Sequence, residues 1–175
     1  VLSLIEFFNL TKKILKNKSY QIILNIFFII YIFIFCFMFL FFSNYIQLKI
    51  ILFSLLLGCI ASDIGGFIFG KIFKGPKLTK ISPNKTISGS IGSLFSTSII
   101  ISSSFFYFTE SFSYNIFIVS IFTSIACQFG DLFFSYLKRK AKIKDTGNFL
   151  PGHGGVLHRL DGIFFGIPMG FVTLT

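Results

Sequence analysis

The sequence predicts an all-α integral membrane protein, a polytopic bundle of transmembrane helices with about five spans in this chain. Three observations predict it. Of the 175 residues, 54% are hydrophobic and 28 are Phe, and the mean hydropathy is +0.84, more apolar surface than a soluble domain of this size tolerates. The apolar residues are gathered into stretches about as long as a hydrocarbon core is thick. The net charge of +10 is concentrated in a few segments between those stretches.

The first span is Ile22 to Phe42, 21 residues with Asn25 as its only strongly polar member; at 1.5 Å per residue it covers about 30 Å. Leu48 to Gly70 is the second and carries Asp63 toward its far end. Ser88 to Phe108 is the third, and its eight Ser and two Gly suit a helix packed against other helices better than one facing lipid. Asn115 to Phe134 is the fourth and contains Gly130-Asp131. Leu160 to Thr175 begins a fifth, with Gly162, Gly166 and Gly170 four apart on one face, a stripe for close helix packing.

Lys12, Lys13, Lys16 and Lys18 form one basic group, Lys71, Lys74, Lys77, Lys80 and Lys85 a second, and Lys138 to Lys144 with Arg159 a third. Threading the spans puts all three on one side of the membrane. The opposite loops, Ser43 to Gln47 and Thr109 to Tyr114, hold Glu110 and no Lys or Arg. Loops rich in Lys and Arg stay cytoplasmic, so the basic segments are expected to face the cytosol. Cys36, Cys59 and Cys127 fall inside apolar runs without metal-ligand spacing, which predicts small apolar packing residues rather than a disulfide framework. The chain starts at Val1 with no charged leader and reads as one membrane-embedded domain, residues 1–175, of a protein with further spans upstream.

Three of the four Asp residues, Asp63, Asp131 and Asp161, lie within or at the same ends of these spans; Asp145 is the fourth. An ionised carboxylate is expensive in a bilayer and points to a functional role with a cation as partner. Asp63 is followed by Gly65, Gly66 and Gly70, which permit close approach of another helix or of a phosphate. In Ile81-Ser-Pro-Asn-Lys-Thr86, Pro83 stiffens a loop while Ser82, Asn84, Lys85 and Thr86 offer donors where a helix opens, an arrangement suited to phosphate and equally to an ordinary capped helix start. Lys138 to Asp145 joins the acid at position 131 to a cluster of cations. Topology and attraction to anionic lipid explain that charge, and no nucleic-acid partner is expected. Pro151-Gly-His-Gly-Gly155 follows, and its glycines would let backbone N–H groups approach an anion. His153 and His158, five apart, make a poor zinc pair. Carboxylates that can hold Mg²⁺, surrounded by Lys and Arg, suit phosphoryl or nucleotidyl transfer by positioning and charge neutralisation. No P-loop is present.

These blocks resemble a known family. Ser135-x-Leu-Lys138-Arg139, Lys144-Asp145-x-Gly147, Pro151-Gly-His-Gly-Gly155 and Arg159-x-Asp161 are similar to the C-terminal pattern of phosphatidate cytidylyltransferases, with Ser62-Asp-Ile-Gly-Gly-Phe-x-x-Gly70 and Ile81-Ser-Pro-Asn-Lys-Thr86 matching two upstream motifs in the same order. The resemblance runs from about Glu6 to the end. It implies an integral membrane enzyme, often a dimer, that converts phosphatidate and CTP to CDP-diacylglycerol and diphosphate with Mg²⁺, here in a bacterial inner membrane. It implies catalytic roles for Asp131, Asp161, Lys144 and Arg159, and metal binding by Asp131, Asp161 and Asp63. Substrate binding would fall to Asp63, Ser82, Asn84, Lys85, Lys138, Arg139, Asp145, His153, Gly154 and Gly155.

The sequence departs from the pattern at His158, which stands where the family's Gly-Gly-x-x-Asp-Arg-x-Asp has its first acid, at Phe134, where many members have Glu, and at Ile64, where Ser or Thr is usual. Other readings stay open. One is a CTP-dependent enzyme on another lipid, such as an isoprenoid alcohol kinase or an archaeal-type lipid cytidylyltransferase. Another is a non-catalytic membrane homologue, scaffold or transporter.

Overall fold

The computed structural model describes every residue except 80, 84, 111–113, 144, 148–154 and 175. Six helices follow one another: α1 (Leu2–Ile14), α2 (Lys18–Asn44), α3 (Ile46–Phe73), α4 (Ile87–Thr109), α5 (Tyr114–Lys140) and α6 (Leu157–Val172). Helices α2 to α5 are long and apolar enough to cross a membrane. Helix α6, the fifth expected span, has 16 residues, about 24 Å of helix, and packs against α5 and α3.

The hydropathy pattern gives no helix before Ile22, yet α1 is there. Its inward face is Ser3, Glu6, Phe7, Leu10 and Thr11, an i, i+3/i+4 stripe whose polar members hide it from a reading based on hydropathy. Helix α5 also continues past Phe134 to Lys140, because Phe134 and Lys138 turn inward there and the cations of its last turn complement the helix dipole. Helix α6 begins at Leu157, one turn earlier than the apolar run does.

Small residues set the distances between helices. A Cβ on Gly65 would strike Ser96 and the Gly92 carbonyl of α4, and one on Gly66 would meet Ser93 Oγ at 2.6 Å. The glycines after Asp63 therefore serve the α3–α4 contact. The α6 stripe works likewise: Gly162 lies against Cys127, Gly166 against the thiols of Cys127 and Cys59, and Gly170 against Leu55 and Thr123. Cys59 and Cys127 are buried and free, whereas Cys36 is exposed on α2.

Several polar residues inside the spans find partners across the helix packing, while among the described residues the buried hydroxyls of Ser54 and Ser102 have none. Ser93 Oγ donates to the Ser62 carbonyl at 2.7 Å. Gln128 Nε2 donates to the Ser90 carbonyl at 3.2 Å, tying α5 to α4, and to Ser124 Oγ within α5 at 3.3 Å. Asn25 accepts from Thr11 Oγ1 at 2.8 Å, so the one strongly polar residue of the first span anchors α1. Pro168 lies inside α6 and has no N–H for the carbonyl of Phe164; the Tyr31 hydroxyl of α2 donates to that carbonyl instead. Tyr31→Phe leaves the carbonyl unpaired and is expected to cost about 1–2 kcal/mol, seen as a lower melting temperature in detergent with the helix content retained.

Candidate functional site

The site lies at the end of the bundle where α1, the α3–α4 connection, the end of α5 and the start of α6 come together. A tight hairpin shapes the α3–α4 connection. Leu78 N–H donates to the Lys85 carbonyl at 2.8 Å, Lys85 N–H to the Ser82 carbonyl at 3.1 Å, and Ile87 N–H to the Pro76 carbonyl at 3.0 Å. Thr86 caps α4 by accepting from Gly89 N–H at 3.1 Å. So held, Lys85 forms an ion pair with Asp131 on α5. The hairpin uses the backbone of Ser82.

Asp161 sits in the first turns of α6, 4% exposed. Its carboxylate accepts from Gly162 N–H at 2.8 Å and lies 2.9 Å from His158 Nδ1. Asp131, His158 and Asp161 can each offer a ligand atom within 4.8 Å of the others. Asp63, exposed on α3, stands outside this trio but within electrostatic reach of Asp161, Asp131, Lys85 and His158. Lys138 is buried and feels Asp161, Asp131 and Asp145. Three acids from α3, α5 and α6 and two lysines thus share one charge cluster. Arg139 and Asp145, both exposed, act electrostatically on Lys138, and Arg159 is exposed near the start of α6. Lys144, Asn84, His153 and Gly154 lie outside the described residues.

His158 precedes the apolar stretch that starts at Leu160. Its hydrogen bond to the Asp161 carboxylate holds the imidazole above its usual pKa, against the opposing effect of desolvation.

Gly155 is buried, and what lies against it is a carboxylate of the chain itself. Glu6 accepts from Val156 N–H and Leu157 N–H, each at 2.9 Å, and from Thr146 Oγ1 at 2.9 Å. A Cβ on Gly155 would meet Glu6 Oε2 at 2.5 Å, and one on Gly147 would meet Glu6 Oε1 at 2.9 Å. Motif reading passes over Glu6, whereas it marks His158 as standing where the family has its first acid, and that position falls in the trio. The available signal for Glu6 was a carboxylate two apolar positions deep in a Ser3, Glu6, Phe7, Leu10 stripe.

A divalent cation fits the trio by donor type. Two carboxylates from different helices are what Mg²⁺ takes from a protein when phosphate oxygens complete its shell. The imidazole of His158 is better suited to transition metals.

Fold and site together define a polytopic α-helical membrane protein with a mixed acidic and basic cluster at one end of its bundle. The chain belongs to the cytidylyltransferase family, whose model matches residues 1–175. It is 43% identical over 119 residues to a phosphatidate cytidylyltransferase of Helicobacter pylori, covering 64% of this chain and 42% of that protein. It is 42% identical over 129 residues to one of Rickettsia felis, covering 67% and 56%, and 42% identical over 126 residues to one of Staphylococcus aureus, covering 70% and 47%. The chain spans about half the length of the curated relatives it matches.

Proposed function

We propose that the protein carrying this chain transfers CMP from CTP to phosphatidate, giving CDP-diacylglycerol and diphosphate, in a bacterial inner membrane with its basic loops facing the cytosol. The observation that carries this reading is the convergence of Asp131 and Asp161, from separate helices, with Lys85 and Lys138 at the basic end of an apolar bundle. The names of the relatives support the choice of substrates. The orientation rests on the segregation of Lys and Arg.

In this reading a phosphate oxygen of phosphatidate attacks the α-phosphorus of CTP. The new P–O bond forms as the bond to the bridging oxygen breaks, and diphosphate leaves in line. Lys85 and Lys138 hold two anions that repel each other in water and so supply the proximity the step needs. Arg159, exposed two residues before Asp161 in the chain, would meet phosphate from the aqueous side. Asp131 and Asp161 would hold Mg²⁺, which supplies charge neutralisation for the triphosphate and its leaving group. The acyl chains stay in the bilayer while the headgroup reaches the mouth of the bundle. A homodimer is part of the proposal because the family resemblance implies one.

The test is release of diphosphate by the intact protein in mixed micelles, with CTP and Mg²⁺ present and a panel of lipid acceptors. We expect turnover with phosphatidate. Turnover with an isoprenoid alcohol or an ether-linked archaeal lipid phosphate instead would reassign the substrate, and no turnover with any acceptor would overturn the enzyme reading.

A further inference from the structure

We infer that Glu6 is a positioning residue: its carboxylate clamps the start of α6 and thereby fixes where His158 and Asp161 stand.

The start of α6 needs an outside partner. Its N-cap, Val156, supplies no side-chain hydrogen bond, so the first N–H groups of the helix would otherwise be orphaned. Glu6, from α1, fills that role at the positive end of the helix dipole, accepting from the N–H groups of Val156 and Leu157 at 2.9 Å each. It also holds Thr146, on the near side of the α5–α6 connection, by a third bond of 2.9 Å. One carboxylate thus grips both ends of the segment between the basic cluster and Asp161.

The clamp is built rather than incidental. Glu6 is 6% exposed, and each of its three bonds spans at least 140 residues of sequence. Gly147 and Gly155 leave the carboxylate room that a Cβ would take away. Helix α1 is held separately by stacking of Phe7 on Phe28 at 3.9 Å, so Glu6 is presented from a fixed base. Asp161 lies one helical turn beyond Leu157, and the rigid first turn transmits the position of the clamp to it. Removing a group that orients a metal-binding carboxylate without touching the ion typically weakens metal affinity or activity about 10–100-fold.

This inference rests on the cytidylyl-transfer reading only for its activity arm. The experiment compares Glu6→Gln with the parent in the intact, detergent-solubilised protein, reading kcat and KM for diphosphate release and, separately, Mn²⁺ affinity by EPR titration. Gln keeps the shape of the side chain but loses the charge and puts an NH₂ where an acceptor is needed. Thr11→Val is the control: it breaks the other polar tie of α1 and touches none of the cluster.

At a temperature where all variants are folded, E6Q is expected to lower kcat and Mn²⁺ affinity about 10–100-fold with KM for phosphatidate little changed. T11V should lower the melting temperature and leave both values alone. If E6Q does not fold, Glu6→Asp, which keeps the charge but withdraws it by one methylene, replaces it with the same two readings. Parental kcat and Mn²⁺ affinity in E6Q, or losses in T11V as large as those in E6Q, would overturn the inference. A parent without CTP turnover would defeat the functional reading alone, because Mn²⁺ affinity would still decide the role of Glu6.

Discussion

Asp161→Asn in the intact protein is expected to abolish CTP-dependent diphosphate release while leaving the fold in place. Asn is nearly isosteric with Asp, and its carbonyl oxygen can keep the bond that Gly162 N–H makes at 2.8 Å. What it loses is the negative charge, in a position only 4% exposed. The change opens no cavity, but it takes a charge partner from His158 and from buried Lys138, so a lower melting temperature with the helix content retained is expected. A carboxylate that binds the cation directly should matter more than a group that only orients such a ligand, so the loss should exceed about a hundredfold. The paired measurement is turnover and melting temperature on one preparation. A scaffold or transporter would keep its function in D161N, whereas the enzyme reading requires inactivity in a protein that is still folded at the assay temperature.

The second large effect is expected from His158→Asp, and its sign is opposite. His158 stands 2.9 Å from Asp161 and shares the trio with Asp131. Oxygen ligands suit Mg²⁺, whereas an imidazole nitrogen is accepted more readily by first-row transition ions, of which Mn²⁺ binds it most weakly. The parent should therefore turn over better with Mn²⁺ than with Mg²⁺, and H158D should reverse that order, raising the Mg²⁺-supported rate about tenfold, or about 1.4 kcal/mol of barrier. Without metal, a third carboxylate beside Asp131 and Asp161 adds like-charge repulsion. H158D should thus melt below the parent in chelator and gain more on addition of Mg²⁺. An unchanged preference between Mn²⁺ and Mg²⁺ would place His158 outside the coordination of the cation.

Much of this architecture was legible in the sequence because the bilayer demands long apolar runs. The runs behind α2 to α5 announce themselves, and the Gly162, Gly166 and Gly170 stripe predicts the close contact of α6 with Cys127, Cys59 and Leu55. The serines of α4 likewise lie in the contacts with α3 and α5. Helix α1 was not legible, since its buried face carries Ser3, Glu6 and Thr11 and looks polar to any hydropathy count.

The site was legible in its residue types and only partly in its geometry. Motif order brings Asp131 and Asp161 under suspicion, but no spacing rule foretells that a hairpin from Pro76 to Ile87 delivers Lys85 to Asp131. Gly155 is the instructive case. Glycine beside helix N–H groups suggests an approaching anion, and an anion is there, but it is Glu6, 150 residues away in the chain from Val156. Only the folded structure shows which acid fills such a place.

The central claim is that acids of α5 and α6 meet to hold one divalent cation. Mn²⁺ EPR titration of the intact protein, compared with Asp131→Asn and Asp161→Asn, tests it most directly. The account predicts one Mn²⁺ per chain in the parent, displaced by excess Mg²⁺ and lost in each variant. Mn²⁺ bound with parental affinity in both variants would contradict it.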